Sequence, residues 1–221
     1  MNLQDAGFGH GWMLGGALFY LAALAWSVRT APWYKIEDRE SQHVFLATSV
    51  LLFFLWSAAA SIGSGLTFHF LMSALVTMMF GPQFAIMAAS LALLGVTLTG
   101  GAGLLMFGVN ALLMGVIPIL LVWWVARLAY VYLAHNFFVF VLLNGFFAAG
   151  LSVLVTLMLS ASAMWLSGAQ TPEKLEQSFL PFIPLLVIPE GFVNGLILTA
   201  LVLMKPQWVS CFTDEQYLNG K

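Results

Sequence analysis

Long apolar runs, separated by short polar or glycine-rich breaks, make up most of the sequence. We count seven, over approximately residues 11–28, 43–61, 66–80, 83–98, 105–130, 137–166 and 179–204. A membrane-spanning helix needs about 20 mostly apolar residues. Only 7% of this chain is charged, whereas soluble domains carry roughly 25% charged residues. The sequence therefore predicts an all-α, polytopic membrane protein in which residues 1–221 form one domain with seven transmembrane helices.

Glycine and proline mark the narrowest breaks between these runs. Gly81-Pro82 separates the third run from the fourth, because proline lacks a backbone donor and restricts the residue before it. The Gly100-Gly101-Ala102-Gly103 stretch separates the fourth from the fifth, since glycine frees the backbone. We therefore expect two short, closely spaced helices in the middle of the chain.

The basic residues predict the orientation in the membrane. If the chain crosses the membrane seven times, six of its seven Lys and Arg residues fall on one face of the membrane and Lys174 falls on the other. The six are Arg29, Lys35, Arg39, Arg127, Lys205 and Lys221. Because basic loops stay in the cytoplasm, we expect the amino terminus outside and the carboxyl terminus inside. Residues 1–10 contain no Lys or Arg, so they lack the positive region of a signal peptide. We expect Met1 to remain on the mature chain.

Polar residues inside the apolar runs are the candidate functional residues, since an unpaired polar group in lipid costs several kcal/mol. The first group surrounds His69, with Thr67, Met72 and Ser73 nearby. A spacing of three or four residues would place His69, Met72 and Ser73 on one helical face. Imidazole and thioether groups bind transition metals. A histidine bonded to a neighbouring carbonyl or to interfacial water is the structural alternative.

The second group lies on the fifth run, where Met106, Asn110 and Met114 recur at steps of four. Asn110 could offer its amide oxygen to an ion, although a hydrogen bond to another helix is the favoured interpretation. The methionines are interpreted mainly as packing residues.

The third group lies on the last run, where Glu190 follows Pro189 and Asn194 lies one turn further on. Glu190 could bind a cation or relay protons, but the favoured role is a structural bond, with His43 or Arg127 as possible partners. His10 is also noted, since it lies on the predicted outer side together with His69.

Four motifs occur in a characteristic order along the chain: Leu66-Thr67-Phe68-His69, Phe80-Gly81-Pro82, Gly108-Val109-Asn110-Ala111-Leu112-Leu113-Met114-Gly115 and Pro189-Glu190-Gly191. This series resembles the CbiM-type cobalt/nickel substrate-binding membrane subunit of energy-coupling-factor ABC transporters. The resemblance extends from the amino terminus to about Trp208.

The resemblance implies a metal site that includes the amino terminus. In that family the terminal amine, a backbone nitrogen and the imidazole of residue 2 bind the metal with a later histidine, which His69 matches. Here residue 2 is Asn2, whose amide is a poor ligand for Co(II) or Ni(II), so the chain resembles a divergent branch. The position-matched metal ligands are Met1, Asn2 and His69, and His10 is a possible substitute for the missing imidazole.

The resemblance also implies partners and a location. The expected partners are a transmembrane coupling subunit and two ABC ATPase subunits, in the cell membrane of a bacterium or archaeon, such as an inner membrane. The metal ion, cobalt or nickel by resemblance, would be a substrate, and no permanent cofactor is expected.

Other function classes have weaker support. The alternative to transport is a non-transporting membrane scaffold or a metallocentre-assembly factor on the same fold. An enzyme is not predicted, because Gly63-Ser64-Gly65 and His69 have no carboxylate nearby to orient a nucleophile and base. A channel of this size would need to oligomerise. The net charge of -2 and the lack of a basic cluster argue against nucleic-acid partners.

Overall fold

The computed structural model describes residues 2–62 and 66–217, without the side chains of 60–62, 66, 67, 178, 214 and 216. Within these ranges the helices are α1 His10–Thr30, α2 Arg39–Ser57, α3 Ser73–Phe80, α4 Pro82–Leu98, α5 Phe107–Tyr132, α6 Phe137–Leu166, α7 Pro172–Ser178, α8 Ile183–Met204 and α9 Asp214–Tyr217. Short 3₁₀ turns cover Trp33–Ile36, Leu180–Phe182 and Pro206–Trp208. The seven predicted runs correspond to α1 to α6 and α8.

Several helices have the length and surface of membrane spans. In the described part of the chain, four stretches are long and apolar enough to cross a membrane: His10–Thr30, Phe107–Tyr132, Phe137–Leu166 and Pro172–Met204. Their outer faces expose large apolar side chains such as Leu14, which is 72% exposed, and Phe19, which is 68% exposed. Such surfaces suit contact with lipid. The chain is therefore a multi-pass, predominantly helical membrane protein.

The third run differs from its prediction. A helix over 66–80 was expected, but Leu66–Phe68 forms strand β2, which pairs antiparallel with β1, Ala60–Ile62. The helix begins only at Ser73, because the backbone of Met72 is left-handed, with φ 56°. An eight-residue helix is about 12 Å long, too short to cross a bilayer. The prediction of a full third span is therefore wrong.

The predicted breaks are confirmed. α3 ends at Phe80 and α4 begins at Pro82, with Gly81 between them at φ 81°. This positive φ suits a residue without a side chain. All eight residues of α3 are buried, and the helix packs against α4, α5, α6 and α8. The short helix is thus an internal element surrounded by longer ones.

Small residues bring α1 close to the start of α5. A Cβ atom at Gly108 would lie 2.5 Å from the backbone nitrogen of Ala17, and one at Gly16 would lie 2.8 Å from that of Val109. Real side-chain atoms do not approach backbone this closely, so both positions require glycine for this contact. The close approach places the residues before α1 next to the first turns of α5.

Candidate metal centre

The residues before α1 fold into the bundle. Asn2 and Leu3 are each only 2% exposed. The backbone N–H of Leu3 donates to Oδ1 of Asn110 at 2.8 Å, and Nδ2 of Asn110 donates to the Leu3 carbonyl at 2.9 Å. An amide side chain paired with both backbone groups of one residue acts like a neighbouring β-strand. Asn110, expected to bond another helix, therefore holds the amino-terminal segment instead.

The loop between α4 and α5 holds the same segment from a second side. Nδ2 of Asn2 donates to the Gly101 carbonyl at 3.1 Å, and the N–H of Gly103 donates to the Leu3 carbonyl at 3.2 Å. Oδ1 of Asp5 accepts from the N–H of Met106 at 2.9 Å, at the start of α5. The glycine-rich break is therefore a docking surface for residues 2–5 as well as a chain separator.

His69 lies beside this segment. It is 5% exposed and follows β2, outside the helices. Its Nε2 is 3.1 Å from Oδ1 of Asn2, and its Nδ1 is 3.2 Å from the carbonyl oxygen of Phe70. The indole of Trp56 packs beside the imidazole, with ring centroids 5.5 Å apart. The structure thus brings together Asn2 and His69, two of the three position-matched ligands.

The hydrogen bonds of His69 have a chemical consequence. A neutral imidazole carries one N–H, whereas both of its nitrogens here face an oxygen that accepts hydrogen bonds. Asn2 donates with Nδ2 to Gly101, which orients its Oδ1 towards His69. When Nδ1 carries the proton and donates to Phe70, Nε2 and Oδ1 of Asn2 present lone pairs to each other. A cation between them would satisfy both atoms.

Glu190 and Asn194 lie on the other side of the His69 segment. Oε2 of Glu190 accepts from the N–H of Leu71 at 2.9 Å, and Oε1 accepts from that of Met72 at 2.6 Å. Nδ2 of Asn194 donates to Oε1 of Glu190 at 2.9 Å, and its Oδ1 accepts from the N–H of Leu75 at 3.0 Å. Glu190 therefore makes structural bonds, to two backbone N–H groups and to the Asn194 side chain.

The possible partners named for Glu190 lie elsewhere, since His43 and Arg127 are both exposed. The expected helical face of His69, Met72 and Ser73 is wrong, because α3 begins at Ser73. Met72 is buried, and its sulfur accepts a 3.5 Å contact from Nδ2 of Asn194.

The remaining candidates fall into three groups. His10 is exposed at the start of α1, whereas His69 is buried and its ring nitrogens contact Asn2 and Phe70, not His10. Met114 is buried within a π-helical turn of α5, Ala111–Val116. Met1, the Thr67 side chain and the Gly63-Ser64-Gly65 motif lie outside what the structure describes.

Several residues of this region were not predicted from the sequence. Leu3, Asp5 and Trp56 were not selected, although each contacts Asn110, Met106 or His69. Asp5 carried one signal, since a charge close to an apolar run often has a specific partner. Leu3 acts through its backbone, which its side-chain type does not reveal.

A metal site built only from side chains is not found here. Within residues 2–62 and 66–217, no group of three or more His, Cys, Asp or Glu residues could hold a metal ion.

Comparisons with known proteins agree with this architecture. The fold is similar to crystal structures of a truncated transition metal transporter and of a transition metal transporter, each with a TM-score of 0.70 and 18% identity over 92% of this chain. The matches cover 97% and 91% of those chains, respectively. No curated protein matches the sequence.

The family comparison is more specific. Residues 2–208 match the model of CbiM, described as the cobalt uptake substrate-specific transmembrane region. This match covers nearly the whole chain and includes the docked amino-terminal segment, His69 and Glu190. It concerns a transporter membrane component and not an enzyme family. The chain therefore belongs to the CbiM family of cobalt uptake substrate-specific transmembrane regions.

Proposed function

We propose that this protein captures a divalent transition-metal ion between its amino terminus and His69, as the substrate-binding subunit of an energy-coupling-factor ABC transporter. The ligands would be the Met1 amine, the Asn2 backbone nitrogen and Nε2 of His69. The observation that carries the proposal is the 3.1 Å contact between buried Asn2 and His69. It closes the amino-terminal segment against the histidine that a metal would need.

The spacing of the two side chains supports a shared cation. Two ligands at right angles around a metal, each about 2.1 Å from it, lie about 3.0 Å apart. Nδ1 of His69 faces a backbone carbonyl, which is the usual second contact of a metal-binding histidine. Oδ1 of Asn2 would then be an additional oxygen ligand or would move aside. Cobalt and nickel are the proposed substrates, since amine, amide and imidazole nitrogens suit both ions.

The cellular setting follows from the same proposal. The amino terminus and the metal site would face outward, and the basic loops would face the cytoplasm. Energy would come from two ABC ATPase subunits through a transmembrane coupling subunit. The host membrane would be that of a bacterium or archaeon.

Metal content of untagged protein tests the proposal. Wild-type protein in detergent should hold close to one Ni²⁺ or Co²⁺ per chain by elemental analysis and calorimetry. His69→Ala and a variant with one residue added before Met1 should both lose this metal, because each removes or displaces a ligand. His43→Ala, at an exposed histidine of α2, should retain it.

Unchanged affinity in the His69 and extended variants would reject the site. Wild-type protein without stoichiometric metal and without a co-purifying ATPase would instead favour the scaffold or assembly function.

A further inference from the structure

A buried carboxylate lies directly behind the segment that carries His69. Glu190 is 1% exposed, in the middle of α8. Among the described residues, its two side-chain oxygens contact only N–H donors: Leu71, Met72 and the Asn194 amide. Donors on both oxygens suit an ionised carboxylate, which can only accept. The transport function proposed above assigns no role to this charge.

The first role of Glu190 is to cap α3 from outside that helix. The N-cap residue of α3 is Met72, which offers no side-chain cap, so the donors at the helix start need other partners. Glu190 supplies them for Leu71 and Met72, and Asn194 supplies one for Leu75. A negative group at the amino-terminal end of α3 also interacts favourably with the helix dipole.

A single peptide group connects this cap to the imidazole. The N–H of Leu71 and the carbonyl of Phe70 are two ends of one planar peptide unit. Glu190 accepts from the N–H at 2.9 Å, and the carbonyl lies 3.2 Å from Nδ1 of His69. A carboxylate that accepts from one end of a peptide makes the other end a stronger acceptor. This favours a proton on Nδ1 of His69, which would leave the lone pair of Nε2 facing Asn2.

We propose that Glu190 is a positioning residue of the metal site, which sets the orientation and tautomer of His69 through the Phe70–Leu71 peptide. The inference rests on the proposed metal-capture function and adds to it a carboxylate that does not itself bind the metal. Such groups ordinarily contact the metal-bound histidine directly. Here the backbone transmits the effect, from a residue 119 positions from Leu71 in sequence.

Glu190→Gln tests the inference, because glutamine has nearly the same shape as glutamate but no charge. Its NH₂ group would also face the N–H of Leu71 or Met72, so that two donors meet. We expect Co²⁺ affinity to fall by about 10- to 100-fold, with a changed visible absorption spectrum of bound Co²⁺. Ser152→Ala is the matched control, since Ser152 bonds Ser73 at 2.9 Å at the same end of α3 but not the peptide. It should leave the spectrum unchanged.

A measurement on wild-type protein keeps the inference testable if Glu190→Gln does not fold. NMR of metal-free protein with ¹⁵N-labelled histidine identifies the His69 resonances as those absent from His69→Ala. These resonances should show that the proton of His69 is on Nδ1. A proton on Nε2 instead would overturn the inference.

The two proposals fail in different ways. Full Co²⁺ binding by His69→Ala would reject the capture site itself. Loss of binding in His69→Ala, together with wild-type affinity and spectrum in Glu190→Gln, would reject only the role of Glu190.

Discussion

Asn110→Ala should release the amino-terminal segment without touching a proposed metal ligand. The substitution removes both hydrogen bonds between the Asn110 amide and Leu3. The Leu3 carbonyl keeps the N–H of Gly103 as a partner at 3.2 Å, so it remains bonded. The Leu3 N–H loses its partner in a site that is 2% exposed.

The size of the effect on docking follows from the loss of a partner by the Leu3 N–H alone. An orphaned buried donor costs about 1–3 kcal/mol, and we take about 2 kcal/mol for the docked state. This corresponds to a change of about 30-fold in the docking equilibrium. Apparent metal affinity falls in proportion to the docked fraction, so about 30-fold is also the upper limit for its loss.

Hydrogen exchange of the amino-terminal peptide measures docking directly. Exchange in residues 2–8 should accelerate about 30-fold in Asn110→Ala, with a parallel loss of Ni²⁺ affinity by calorimetry. Asn144→Ala is the control, because Asn144 is also a buried asparagine, but its Oδ1 has no hydrogen-bond partner among the described residues. Equal exchange in wild type and Asn110→Ala would refute the idea that this amide holds the segment.

Three further predictions concern the same regions. Gly103→Ala should weaken metal binding, because its Cβ would lie 2.7 Å from the backbone nitrogen of Asp5, whereas Gly9→Ala, with open space around it, should bind metal normally. Calorimetry compares the two variants, and equal affinities would count against docking of residues 2–5 on the loop between α4 and α5. Asn2→His should raise Ni²⁺ affinity at least about tenfold, since imidazole is a better ligand than an amide for this ion, and a lower affinity in competition titrations would contradict the proposed site. Gly108→Ala should lower the midpoint temperature of thermal unfolding in detergent, because its Cβ would clash with Ala17, whereas Gly11→Ala, whose Cβ meets nothing within 4 Å, should leave it unchanged. Equal midpoints in the two variants would argue against the α1–α5 contact.

Apolar runs and backbone breaks were readable from the sequence because both are local. Gly81 and Pro82 separate α3 from α4 as predicted, since the conformations of glycine and proline depend little on distant residues. Polar residues in apolar runs likewise identified His69, Asn110 and Glu190 as positions with specific partners. The same reasoning placed an ordinary helix over 66–80, where the structure has a strand followed by a short helix.

Hydropathy and local spacing thus determined the helical membrane class, most of the helix positions and the residues that need partners. The tertiary structure alone decided which partners those are. His69 meets Asn2 across 67 positions, Leu3 meets Asn110 across 107, and Leu71 meets Glu190 across 119. Local pattern carries no record of contacts at such separations, because they form only when the helices pack and bring distant buried polar groups together.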